Sequence, residues 1–253
     1  ILRKTYKSMG PDYLSDRELK MIGMYKPKKK PIVDVPKLEP KVEVKPEPKV
    51  TIPQKPLELI IKELNIDYDA IKILLAGRIT GWKGHKLLLQ AISSIIKKTN
   101  HKFEIIFVGP DENYKLKNSL KNFANEHNLA KSLHFVGSRT DLNNFYSLAD
   151  LVISASTDPE AFGRISVEAQ AMGKFVIASN HGGSVETVND GETGYLFENN
   201  NAEDLCKKII DAISNEKYKS EKTSEACISH VREKYSKIKM CEETINFYEE
   251  VIN

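Results

Sequence analysis

The most informative pattern in this sequence is LVISASTDPEAFGRISVEAQAMG, residues 151–173. Its apolar run Leu151–Ala155 is typical of a buried strand, and apolar residues then recur at helical spacing from Ile165 to Met172, until Gly173 ends the pattern. The sequence therefore predicts a strand, a loop and a helix in succession. Because the first turn of a helix presents free amide groups and a partial positive charge, the loop before this helix is a candidate anion-binding site.

Two carboxylates flank that loop: Glu160 lies just before the predicted helix and Glu168 lies within it. If the span between them were all helical, they would be ~12 Å apart, and an extended loop would separate them further. The two carboxyls of a glycoside hydrolase need a separation of about 5 to 10 Å. The spacing therefore suits the two ends of one long ligand better than a hydrolytic pair. The alternative is that both glutamates are solvated or simply favour the helix dipole.

The rest of the chain after residue 57 alternates between strand and helix patterns. Such alternation predicts a parallel α/β sheet, Rossmann-like, with helices on both faces and a ligand at the carboxyl ends of the strands. The predicted strands are 71–76, 103–108, 133–136, 151–155, 175–179 and 195–197, and the predicted helices are 86–98, 114–127, 141–148, 165–172 and 202–213. One or two further helices are predicted over 224–252. Their apolar stripe is expected to be a packing surface rather than a cofactor site, and it comprises Val231, Tyr235, Ile238, Cys241, Ile245 and Tyr248.

Two predicted loops at strand ends carry residues suited to a ligand. The loop after the first strand reads GRITGWKGHK, residues 77–86, and it lacks the glycine fingerprint of a dinucleotide site. It offers two cations, Arg78 and Lys83, among glycines, which suits a diphosphate; the alternative is that both are ordinary surface cations. The loop after the fifth strand contains Gly182 and Gly183, which permit close approach of the main chain to a ligand.

Residues 1–57 differ in composition from the remainder. They contain nine of the eleven prolines, and 14 Lys+Arg against 7 Asp+Glu. A segment of this kind cannot bury a core, so we interpret 1–57 as a Pro/Lys-rich, extended or disordered linker and 58–253 as the folded domain. Its basic excess would favour contact with an anionic membrane surface, although interleaved glutamates weaken that interpretation.

The whole-chain composition excludes several classes. A formal net charge of +3 over 253 residues is too small to indicate a nucleic-acid partner. Cys206, Cys227 and Cys241 lack metal-ligand spacing and indicate a reducing compartment. No apolar window is long enough for a membrane span. We therefore expect a cytoplasmic protein, with the inner face of the membrane as the alternative location, and, because the chain begins with Ile, we expect it to be a piece of a longer protein or a processed form.

These motifs together resemble one enzyme family. Glu160 and Glu168 match the "E, seven residues, E" signature of the retaining GT-B glycosyltransferases of family 4, and Gly77–Gly84 is similar to their "glycine-arginine, four residues, lysine-glycine". The resemblance extends over roughly residues 57–252. It implies that Arg78 and Lys83 hold the diphosphate of a nucleotide sugar, that Glu160 orients the sugar and that Glu168 binds the ribose. It also implies further donor-binding positions in the surrounding loops: Gly77, Ser138, Phe162, Gly163, Gly182 and Gly183.

The resemblance also implies a reaction. A hexosyl unit would pass from a nucleotide diphosphate sugar to a saccharide or lipid-linked acceptor with retention at the anomeric carbon, without a metal, in cell-envelope polysaccharide synthesis. Family members have two Rossmann-like domains, and this chain corresponds to the C-terminal, donor-binding one, so an N-terminal acceptor domain is missing. Two alternatives stay open: a nucleotide-sugar-binding or interaction module without catalysis, and, less favoured, a nucleotide-sugar epimerase of related fold.

Overall fold

The apolar runs form a single six-stranded sheet in the computed structural model, which describes residues 54–111 and 113–252. The strands are β1 Ile71–Ala76, β2 Phe103–Val108, β3 Leu133–Gly137, β4 Leu151–Ser154, β5 Val176–Ser179 and β6 Gly194–Phe197. Their order across the sheet is β3-β2-β1-β4-β5-β6, and every neighbouring pair is parallel. The chain therefore reverses its direction of progress at β1 and β4, and the carboxyl ends of these two strands define the topological switch point, where open α/β sheets bind ligands.

Helices connect the strands and cover the sheet. They are α1 Gln54–Leu64, α2 His85–Ile96, α3 Tyr114–Glu126, α4 Leu142–Leu148, α5 Arg164–Ala171, α6 Ser184–Thr187, α7 Ala202–Ser214, α8 Glu221–Tyr235 and α9 Lys237–Ile252. Side chains begin several of them in the expected way. The Asn201 side chain, for example, accepts hydrogen bonds from the amides of Glu203 and Asp204, both at 3.0 Å, and so caps α7.

Different helices cover the two faces of the sheet. Along β1, Ile73 and Leu75 belong to one core cluster and Leu74 and Ala76 to the other, as the two-residue period of a strand requires. The first cluster is completed by apolar side chains of α2, α3 and α7, and the second by those of α1, α4 and α5. β2 and β4 are buried along their whole length. The prediction of a parallel sheet with helices on both faces is therefore confirmed.

The predicted bounds of the six strands and of α2, α3, α4, α5 and α7 agree with the structure to within two residues, α8 begins three residues before its predicted start, and α1 and α6 are not predicted. Helix α1 begins at Gln54, inside the segment that we assign to the linker from its prolines. Proline is tolerated in the first turn of a helix, where its missing amide hydrogen has no helical partner, so Pro56 does not prevent the helix. The remaining linker residues lie outside the described residues, and the linker stays a prediction.

The C-terminal apolar stripe is the clearest departure from expectation. Val231 is buried on α8, but Ile238, Ile245 and Tyr248 on α9 are 43%, 57% and 60% exposed. The prediction that this stripe is a packing surface is therefore wrong for α9 in the described part of the chain. Nearly all the described side chains of α9 are exposed to solvent. No described helix, α9 included, is both long and apolar enough to cross a membrane.

Candidate functional site

The loops that follow β1 and β4 meet at the switch point through a lysine and a glutamate. Lys83 ends a short 3₁₀ turn, Gly81–Lys83, after β1, and its Nζ donates a hydrogen bond to Oε1 of Glu160 in the loop after β4. The two side chains are only 16% and 18% exposed. Lys83 Nζ also lies 4.2 Å from the centre of the Trp82 ring. The residues predicted to hold the diphosphate and the sugar are therefore in direct contact.

A glycine allows this close approach. Gly84 has a φ of 74°, and a Cβ at this position would lie 1.9 Å from the carbonyl oxygen of Ala155. The amide of Thr157 donates to the carbonyl of Trp82 at 2.7 Å, which joins the two loops by their backbones. Residue 84 must therefore lack a side chain for Lys83 to reach Glu160.

A buried serine also holds Glu160. The hydroxyl of Ser156 donates to Glu160 Oε1 at 2.5 Å, and Ser156 is only 3% exposed. Its carbonyl oxygen lies 2.8 Å from Nε2 of His181, for which the sequence shows no partner. The sequence does not predict a role for Ser156, because a lone serine in a loop carries no distinguishing pattern.

The paired glycines after β5 lie against the same loop. The amide of Gly183 donates to the carbonyl oxygen of Glu160 at 2.7 Å. A Cβ on Gly183 would lie 2.5 Å from the carbonyl oxygen of Phe162, and one on Gly182 would lie 2.7 Å from that of Glu160. The structure thus brings the two glycines beside Glu160, as expected of residues around one ligand group.

Glu168 has partners of its own on the helical side of the site. The hydroxyl of Tyr146, on α4, donates to Glu168 Oε2 at 2.9 Å, and Arg164 Nε lies 3.0 Å from Oε1. Tyr146 is 3% exposed, whereas the side chains of Glu168 and Arg164 are 36% and 80% exposed. Burial, reinforced by the negative charge of Glu168, raises the pKa of the Tyr146 phenol far above its usual value. The phenol therefore stays protonated and acts as a donor.

The remaining predicted residues lie around the same edge of the sheet. Arg78 is exposed directly after β1, and it lines a cavity of about 580 Å³ with Ile79, Thr80, Asn113, Tyr114 and Lys115. The amide of the preceding Gly77 donates to the carbonyl oxygen of Val108 at 2.8 Å. Ser138 is exposed directly after β3. These three residues share the carboxyl edge of the sheet with Glu160, but no contact in the described residues joins them to it.

The start of α5 completes the arrangement. Gly163 immediately precedes the helix, and the neighbouring Phe162 is 47% exposed, with its ring centre 5.5 Å from that of Tyr235. Free amides of the first helical turn therefore directly follow the loop that holds Glu160, the carboxylate that Lys83 contacts. A cation, free amides and one carboxylate at the switch point, with a second carboxylate further along α5, can bind an elongated anionic ligand that also carries hydroxyl groups.

Known proteins are similar to this chain in sequence and in fold. A family profile described as glycosyl transferases group 1 matches residues 58–234. The lipopolysaccharide 1,2-N-acetylglucosaminetransferase of Salmonella typhimurium strain LT2 is 34% identical over 193 residues, which cover 74% of this chain and 50% of that protein. A glycosyltransferase from Rickettsia africae ESF-5 superimposes with a TM-score of 0.73 at 34% identity, over 82% of this chain and 54% of that one.

A third comparison concerns the fold alone. Anabaena HepE, whose crystal structure contains UDP and glucose, has a TM-score of 0.69 at 22% identity and is matched over 79% of this chain and 53% of its own. The chain spans about half the length of each of these three proteins. Because the family profile covers most of the chain and the first relative is matched over nearly three quarters of it, this chain belongs to the group 1 glycosyl transferases.

Proposed function

We propose that this chain is the donor-binding half of a retaining, family-4 glycosyltransferase that transfers a hexosyl unit from a nucleotide diphosphate sugar. The observation that carries the proposal is the contact of Lys83 and Ser156 with Glu160 at the switch point of the sheet. A cation and a carboxylate held this close suit the junction between a diphosphate and a sugar. HepE, which has this fold, was solved with UDP and glucose, and that structure motivates the choice of donor class.

In this proposal, positive charge at the switch point stabilises the leaving group. Lys83 and Arg78, with amides near Phe162 and Gly163, face the negative charge that grows on the departing diphosphate. Fixed donors that are already in place need no reorganisation during the reaction, which makes them effective. The mechanism that we propose uses these protein groups without a metal ion.

The two carboxylates have separate tasks. Glu160, beside Gly182 and Gly183, orients the hydroxyl groups of the sugar, and Glu168 accepts hydrogen bonds from the ribose. The departing phosphate helps to deprotonate the acceptor, so no protein nucleophile is assigned. The acceptor is a saccharide or a lipid-linked saccharide, bound largely by a domain that corresponds to the other half of the longer relatives.

Calorimetry with a panel of donors tests the proposal. UDP-glucose, UDP-N-acetylglucosamine, GDP-mannose and ADP-glucose are titrated into the full chain, and one nucleotide class is expected to bind selectively. Lys83→Ala should weaken binding of the matching nucleotide sugar and of its free nucleoside diphosphate by about tenfold or more, because a charge-assisted hydrogen bond to the diphosphate is lost. Lys86→Ala, which removes an exposed cation on α2, is the matched control.

The outcomes separate the candidate functions. Selective binding that Lys83→Ala weakens and Lys86→Ala does not would support the donor site. No binding to any member of the panel by a folded chain would contradict it and would favour an interaction module. Transfer is then assayed after addition of a domain that corresponds to the other half of the longer relatives, and selective binding without transfer would favour a binding module over an enzyme.

A further inference from the structure

Each of the two carboxylates accepts a hydrogen bond from a buried hydroxyl: that of Tyr146 lies on a different helix from Glu168, and that of Ser156 lies four residues before Glu160 in the same loop. The Tyr146 hydroxyl on α4 donates to Glu168 on α5 at 2.9 Å, and the Ser156 hydroxyl directly beyond β4 donates to Glu160 at 2.5 Å. Both donor residues are 3% exposed, whereas both carboxylates are partly open to solvent. A buried hydroxyl that is itself held in place fixes a side chain that must meet a ligand.

We propose that Tyr146 and Ser156 are positioning residues of the donor site: Tyr146 aims Glu168 at the ribose, and Ser156 aims Glu160 at the sugar. The inference rests on the proposed function, because it requires that the two carboxylates contact those two parts of the donor. Neither hydroxyl touches the donor itself, and each acts through its carboxylate.

The Tyr146 contact determines which oxygen of Glu168 is available. Oε2 is occupied by the buried phenol, and Oε1 faces Arg164, whose side chain is 80% exposed. An exposed ion pair of this kind contributes little and is easily displaced. Oε1 is therefore the oxygen that receives the ribose hydroxyls, while the phenol keeps the carboxylate from rotating. The raised pKa of Tyr146 supports this role, because the phenol never loses its proton near neutral pH.

The Ser156 contact has a similar consequence for Glu160. The hydroxyl of Ser156 and the ammonium of Lys83 both donate to Oε1, so Oε2 is left for a hydroxyl of the sugar. When Lys83 turns its remaining donors toward a diphosphate, Ser156 still holds Glu160. Ser156 is fixed in turn, because its carbonyl oxygen lies 2.8 Å from Nε2 of His181.

Conservative variants test the roles of Tyr146 and Ser156 separately. Tyr146→Phe and Ser156→Ala each remove one hydroxyl and keep the packing. Tyr195→Phe on β6 and Ser93→Ala, whose buried hydroxyl on α2 donates to the Gln90 carbonyl at 2.8 Å, are the matched controls. Affinities are measured by calorimetry for the nucleotide that the donor panel selects, UDP, GDP or ADP, for its 2′,3′-dideoxy form and for its sugar conjugate.

The two variants are expected to lose different preferences. The parent should prefer the ribonucleotide to the dideoxy form, and Tyr146→Phe should reduce that preference by about tenfold while leaving affinity for the dideoxy form unchanged. Ser156→Ala should weaken binding of the nucleotide sugar by about tenfold and leave the free nucleotide unaffected. Both controls should match the parent for all three ligands.

A merely structural role would lower affinity for all three ligands together, and that result would overturn the proposal, as would unchanged preferences. Glu168→Ala and Glu160→Ala distinguish this failure from failure of the proposed function. If those two variants lose the preferences and the hydroxyl variants keep them, the carboxylates act as proposed and only the positioning roles are wrong. If the glutamate variants also keep the preferences, the proposed roles of both carboxylates fail.

Discussion

At the scale of single residues, the site depends on a position that has no side chain. Gly84 adopts a left-handed conformation with φ 74°, directly against the backbone of Ala155. A backbone carbonyl cannot turn aside as the end of a flexible side chain can. The contact between Lys83 and Glu160 therefore depends on this glycine, although Gly84 itself reaches no ligand group.

We expect Gly84→Ala to lower the free energy of unfolding by about 3 kcal/mol, from the left-handed backbone and from the clash with Ala155. Gly81→Ala, in the same loop, is the matched control, because a Cβ there meets nothing within 4 Å. Urea denaturation followed by circular dichroism measures both. Equal midpoints for the two variants would show that the loops can separate at little cost.

A second residue, His85, makes stability depend on pH. The imidazole is 1% exposed at the start of α2, and its ring centre lies 4.7 Å from that of Phe107. Neither ring nitrogen makes a hydrogen bond of normal geometry within the described residues, although the nearby Thr80 backbone weakly favours the protonated ring. Burial, with a contribution from the positive charge of Lys83, lowers the pKa of His85 to about 4 from its ordinary value of 6.5.

The unfolded chain binds a proton at His85 below about pH 6.5, whereas the folded chain does so only near pH 4. The contribution of His85 to the free energy of unfolding is therefore fully present above pH 6.5 and is lost as the pH falls toward 4. At pH 5 the loss is about 2 kcal/mol. Urea denaturation at pH 7.5 and pH 5 should show this loss in the parent but not in His85→Leu. His101→Gln, at an exposed histidine, should retain the parent's pH dependence. If His85→Leu lost as much stability between pH 7.5 and pH 5 as the parent does, His85 would not be the residue responsible.

At the scale of elements, the sequence predicts the alternating strands and helices, but it does not predict which helix faces are covered by other elements. The six strands could be predicted because each is an apolar run between turn signals, and the structure changes their ends by a residue or two. Helix α1 was missed because the prolines before it dominate the composition. The stripe on α9 was misinterpreted because periodicity shows which side chains share a face, but not whether another element covers that face.

The site divides in the same way. Glu160, Lys83 and the paired glycines could be named as candidates because they lie beside strand ends and match motifs of a known family, and their contact with a donor stays a prediction. The roles of Ser156 and Tyr146 could not be predicted, since a serine in a loop and an aromatic residue on a helix occur everywhere. They follow only from the folded conformation of the loop that joins Ser156 to Glu160, and from the contact of Tyr146 with Glu168 on another helix. A strand and a loop separate α4 from α5 in the sequence, so the two helices come together only when the domain has folded.

At the scale of the whole molecule, two core clusters on opposite faces of one sheet are expected to unfold together. The strands of the sheet contribute side chains to both clusters, so loss of either face exposes the other. Single domains built around one core usually unfold cooperatively, although elements at the margin of a domain can open on their own. The reactivity of the three cysteines can report the opening of three regions. Cys206 belongs to the cluster that contains α2, Cys227 is buried on α8 and Cys241 is exposed on α9.

We expect one thiol to react with Ellman's reagent at once and the other two only as the molecule unfolds. Cys241 is exposed, whereas burial raises the pKa of Cys227 to about 12 and that of Cys206 above its usual value, which suppresses the reactive thiolates. Cys241→Ser should remove the fast phase. If the domain opens as one unit, the two buried thiols react at the same rate, slowed by about a thousandfold or more relative to Cys241. A faster reaction at Cys227 alone would show instead that α8 detaches while the sheet stays folded.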